Sequence, residues 1–128
     1  MGIRQCGQAL LVVAGLINTV PALGALSVGK AYAAYGISPG GSDVAVLLRH
    51  RAVLFAIIGI GLVVAAFRPN LRAAAIGANA ISFAGFLAVV SAEHPVDSEL
   101  VRVAIDDLVG LAVLAGGTIL VRAGGNER

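Results

Sequence analysis

Of the 128 residues in this chain, 59% are hydrophobic and only 12% are charged, and the mean hydropathy is +0.95; a soluble domain carries roughly a quarter charged residues. One domain fits this length, and because each bilayer crossing takes about 20 apolar residues, four crossings nearly exhaust the chain and leave no room for a separate soluble catalytic domain. The formal charge of +2 and a pI near 9.2 do not point to nucleic acid, since the nine basic residues are dispersed over segment ends, where they meet lipid headgroups.

In chain order, apolar segments at about 8–28, 43–67, 71–92 and 102–121 predict an all-α fold, a four-helix transmembrane bundle that takes up residues 1–128 as a single domain. Spanning strands would leave backbone groups unpaired without a closed barrel, which four such segments cannot form. The first segment exceeds the 7–15 apolar residues of a signal-peptide core and contains Gly15 and Asn18, so it reads as a retained helix. Cys6 has no partner for a disulfide or a metal motif. Before the second segment, Ser38-Pro39-Gly40-Gly41 breaks the chain and Ser42 or Asp43 can cap a helix that nothing halts before Pro69. Arg49, His50 and Arg51 therefore fall inside a helix, near headgroup level.

Periodicity predicts which residues face inward. Gly15, Asn18 and Ala22 share a face of the first helix, as do Ala75, Asn79, Ser82 and Phe86 of the third, so both asparagines are expected inside. In the fourth, Asp106, Gly110, Val113 and Gly117 form a narrow stripe headed by an acid. With both termini on one side, that side receives Arg4, Arg68, Arg72, Arg122 and Arg128. The other receives Lys30, Arg49, Arg51 and Arg102 with six of the seven acids. The excess of basic residues places both termini in the cytoplasm. The loop from Glu93 to Glu99 then faces outward, and Tyr32 and Tyr35 are expected at the outer interface.

Asp106 and Asp107 fall about one turn inside the fourth segment, where a carboxylate costs up to roughly 3 kcal/mol. The second and fourth helices both begin on the outer side, so the Arg49-His50-Arg51 triplet can approach these acids, and Arg102 can pair with Asp106 across one turn. Two readings follow: an ion pair that locks two helices, or a pocket for the polar group of a lipophilic molecule. Residues two apart on a helix point in nearly opposite directions, so at most one of Arg49 and Arg51 faces the acids. In the pocket reading the catalytic candidates are Asp106, Asp107, Arg49, His50 and Arg51. A carboxyl pair sharing an arginine suits general acid and base work, such as epoxide opening by water or double-bond isomerisation, and His50 is an alternative base. Asn18, Thr19, Asn79 and Ser82 are the ligand-binding candidates, or else hydrogen bonds between helices. His94 with Glu93 and Asp97 lacks a paired-histidine or paired-cysteine pattern, so neither a metal nor a cofactor is expected.

The run Leu47-Leu48-Arg49-His50-Arg51-Ala52-Val53-Leu54-Phe55, followed by Ala66-Phe67-Arg68-Pro69, resembles small four-helix integral membrane proteins of actinobacterial type with an RHRAVLF-like motif. The resemblance extends to Asn18-Thr19-Val20-Pro21 and to Asp107-Leu108-Val109-Gly110-Leu111. Such proteins often carry the label phosphopantetheine adenylyltransferase, but the chain has neither the His-x-x-His-type nucleotide motif nor the length for that soluble α/β fold. The architecture is also similar to DoxX-like proteins, an analogy that transfers no site residues. A small multidrug exporter would carry a glutamate in the middle of its first helix, where only Asn18 stands, and a channel would need filter residues that are not evident. The sequence thus points to a multi-pass cell-membrane protein that contacts lipid and binds, and can transform, a lipophilic small molecule. The alternative is a non-catalytic accessory subunit of a larger membrane complex, with homo-oligomers also open.

Overall fold

The computed structural model describes residues 1–125; Arg128, one of the five basic residues on the terminal side, lies outside them. Helix α1 (Ile3–Thr19) runs through a 3₁₀ turn at Val20–Ala22 into the single turn α2 (Leu23–Leu26), and α3 (Val28–Tyr35) follows. Pro21 explains the change of pitch, since it donates no N–H and its ring crowds the preceding turn. Next come α4 (Ser42–Phe67), a 3₁₀ turn at Pro69–Leu71, α5 (Arg72–Ala92) and α6 (Ser98–Ala123). Four stretches, Ile3–Leu26, Ser42–Phe67, Pro69–Ala92 and Ser98–Ala123, are long and apolar enough to cross a membrane, and the all-α four-helix bundle expected from hydropathy is the observed architecture.

Helix α1 packs on both α6 and α4, and α5 packs on the same two, so α4 and α6 stand across the diagonal. Glycines set the close approaches. A Cβ on Gly7 would lie 2.6 Å from the Val121 backbone nitrogen, and one on Gly15 would lie 2.7 Å from the Gly59 carbonyl oxygen. Without a hydrophobic force between helices in lipid, such backbone contact is a main source of association. Gly124 lies against Arg4 in the same way, which brings both ends of the chain to one end of the bundle. The exterior is apolar, with Ile57, Ile81 and Ile119 63%, 75% and 65% exposed, while Asn18 and Asn79 are buried at 3% and 0%. That inversion of a soluble protein's surface suits a hydrocarbon surround.

Local differences from the sequence reading have physical causes. Helix α6 begins at Ser98, one turn before residue 102, with Asp97 as N-cap and Glu99 in its first turn, where a negative charge meets the positive end of the helix dipole. Asp106 and Asp107 therefore sit about two turns into the helix. The buried stripe of α6 is Gly110, Leu114, Gly117 and Val121; at this spacing the half-buried Asp107 heads it, and Asp106 is exposed. The chain after Ser27 also forms a helix, and it buries Tyr32 and Tyr35 at 8% exposure each. They are packed into the protein at the end of the bundle opposite the termini.

Candidate functional site

A cavity of about 410 Å³ opens at the end of the bundle opposite the termini, between the Pro21 turn, α3, the start of α4 and the start of α6. Its walls are mostly aliphatic, including Ile17, Leu23, Leu48 and Val103, but Lys30, Tyr35, Arg102, Asp106 and Asp107 also line it. A few convergent polar groups in an otherwise apolar hollow of this size are the usual make-up of a small-molecule site.

The wall built by α3 depends on how that helix ends. Gly36 adopts φ 64°, ψ 27°, and the Ile37 and Gly36 amides donate to the Tyr32 and Ala33 carbonyls at 3.0 and 3.4 Å. This is the left-handed C-terminal closure that favours glycine. It places Tyr35 at the cavity, where its ring is 5.1 Å from the guanidinium carbon of Arg51. The same guanidinium is 5.0 Å from the Phe55 ring and 5.1 Å from the Phe86 ring, so three aromatic faces stabilise one half-buried cation. Burial pushes the Tyr35 phenol above its ordinary 10.0, with Arg51 opposing and Asp107 reinforcing the shift; the phenol remains a neutral hydrogen-bond donor at physiological pH. Arg51 is not itself a lining residue. Its charge acts on both Tyr35 and Asp107, and it supports that wall from behind.

The basic triplet thus divides. Arg51 is half-buried, whereas Arg49 and His50 are exposed and do not line the cavity, because successive residues turn by about 100° and only one of the three can face the bundle. Asp106 and Asp107 both reach the cavity, with Arg102 one turn before Asp106. The four polar residues expected to touch a ligand lie elsewhere. Asn18 Nδ2 donates to Asn79 Oδ1 at 2.8 Å, Ser82 Oγ donates to Asn18 Oδ1 at 3.2 Å, and Asn79 Nδ2 donates to the Ile58 and Ala75 carbonyls. Thr19 Oγ1 donates to the Gly15 carbonyl at 2.7 Å. All four side chains are engaged within the bundle, and none lines the cavity.

Lys30 and Tyr35 were missed as cavity residues by sequence reasoning. The signal was present in Val28–Tyr35 followed by Gly36, a short helical run with a glycine just past its end. Among the described residues no three His, Cys, Asp or Glu side chains gather to hold a metal ion. No family model, curated protein or solved structure matches the chain.

Proposed function

We propose that this is a multi-pass protein of the cell membrane, with both termini in the cytoplasm, whose outer cavity binds the polar group of a lipophilic small molecule and transforms it by acid and base chemistry. The observation that carries this reading is the placement of Lys30, Tyr35, Arg102, Asp106 and Asp107 around one largely apolar hollow in a chain of four membrane-length helices. Of these, Asp106 and Asp107 lie about two turns inside the fourth span, where ionisable groups are expensive and point to a functional site. The orientation rests on the sequence's five basic residues on the terminal side, Arg4, Arg68, Arg72, Arg122 and Arg128, against four on the other.

The side chains suit a reaction in which water opens a strained ring. One carboxylate takes a proton from water as its oxygen bonds to carbon, the carbon to oxygen bond of the epoxide breaks, and the new alkoxide takes a proton from the second carboxyl or from Tyr35. Asp106→Asn and Asp107→Asn test the site. Native mass spectrometry of gently extracted protein, with identification of the molecules released, is expected to find a non-phospholipid ligand on the parent and none on either variant, at unchanged melting temperature. Equal ligand retention by all three proteins would remove the cavity from consideration.

A second reading, an accessory subunit of a larger membrane complex, rests on the α5 span, of which only 11% is buried within this chain. Its outward Gly85 has no neighbour within 4 Å of where a Cβ would stand, so internal packing does not account for that glycine. A stable hetero-complex under mild detergent, without ligand, would favour it over the cavity reading.

A further inference from the structure

The opposite end of the bundle carries a second concavity, between the start of α5 and the last turns of α6. Pro69, Arg72, Ile76, Thr118, Val121 and Arg122 line it, and its volume is about 510 Å³. Two arginines, Arg72 and Arg122, share it with the apolar Pro69, Ala73, Ile76 and Val121. Leu71 and Ile119 beside it are 45% and 65% exposed, so the flanks present hydrocarbon to the surroundings.

Among the described residues no acid stands at this end: Asp43, Glu93, Asp97, Glu99, Asp106 and Asp107 all lie toward the other end of the bundle. Arg4 is close enough for its charge to act on Arg72, so like charges repel at this end. Arg72 is held in place by its role as a helix cap: Nε donates to the Ala65 carbonyl at 3.2 Å and Nη2 to the Ala66 carbonyl at 2.8 Å. Gln8 Nε2 also donates to Ala66, at 3.0 Å. A guanidinium has five N–H donors, so this cap leaves others for an anion while it removes much of the side chain's freedom. Arg122, exposed on the last full turn of α6, lines the same cleft.

We propose that this cleft is a binding site for an anionic phospholipid, with the phosphate between Arg72 and Arg122 and an acyl chain laid down the groove between α5 and α6. A cationic cleft that also presents the exposed Pro69 and Ala73 fits an amphiphile, and a soluble phosphate would leave those apolar groups uncovered. Basic pockets between membrane helices recognise lipid headgroups through this chemistry. The lipid would also neutralise the repulsion between Arg4 and Arg72, and so brace the terminal end of the bundle.

The test uses purified full-length protein in neutral detergent, with phosphatidylglycerol, phosphatidylcholine or soluble glycerol phosphate added. Retention is read by native mass spectrometry and stability by thermal unfolding. Phosphatidylglycerol should be retained about tenfold over phosphatidylcholine and should raise the melting temperature, while glycerol phosphate does neither. Arg122→Gln should lower phosphatidylglycerol retention about fivefold, the effect of roughly 1 kcal/mol per basic residue, with the lipid-free melting temperature unchanged. Arg72→Lys keeps the charge and separates loss of the cap, seen without lipid, from loss of the lipid. Equal retention of the two lipids, full retention by Arg122→Gln, or binding of glycerol phosphate as tight as that of the lipid would each overturn the proposal.

Discussion

The middle of the bundle and its outer end are built from the same residue types but solve opposite problems. Where α1 crosses α6 and α4, glycine meets backbone, the Asn18, Asn79 and Ser82 side chains use one another as partners, and no buried side-chain nitrogen or oxygen lacks a hydrogen bond among the described residues. At the outer end Pro21 breaks α1, the short α2 and α3 spread the chain, and the resulting hollow is edged by charges. Polar groups paired with one another hold helices together, whereas polar groups facing a cavity are left for something else to pair with. A residue's type is the same in both settings, and the distinction lies in what packs beside it.

The largest effect should come from the tight crossing. Gly7→Leu sets a side chain against the Val121 backbone and should cost about 3 kcal/mol or more, measured by denaturant unfolding in detergent. Gly61→Leu, at a position with no neighbour within 4 Å, is the control and should unfold like the parent; comparable loss in both would mean that glycine serves something other than close approach. Next, Asn79→Leu strips Asn18 of a partner and should cost about 1–3 kcal/mol. A double-mutant cycle with Asn18→Leu should recover part of that cost, and strict additivity would sink the idea of a shared network.

At the outer end the expected costs shrink while the effects on binding grow. Gly36→Ala forces a Cβ into the left-handed region and should cost about 1 kcal/mol, with ligand retention falling because Tyr35 moves. Arg51→Lys should cost about 1 kcal/mol from contact with three rings, read against a Phe86→Leu background in which the difference narrows. Asp106→Asn, at an exposed position, should change stability by less than about 0.5 kcal/mol yet abolish ligand retention. If instead it destabilises as much as Asn79→Leu, the acids belong with the network and not with the cavity.

How much was legible follows from the range of the forces involved. Hydropathy and the helical period are local properties, so composition determined the four crossings, the break before Ser42, and the inward direction of Asn18 and Asn79, whose apolar and small neighbours repeat on one face. The periodic stripe of α6 was also readable, but Asp106 and Asp107 are adjacent and both lie near its edge, so their order could not be settled without knowing where α1 and α5 press on that helix. The same holds for Arg49, His50 and Arg51, because rotation of α4 is set by Gly59 against Gly15 on a different helix. Only the tertiary structure brought Lys30 and Tyr35 to the acids and Phe86 to Arg51. Those meetings depend on the path of α3 after a proline-broken helix and on diagonal packing across the bundle, and no spacing along the chain encodes the distance between helices.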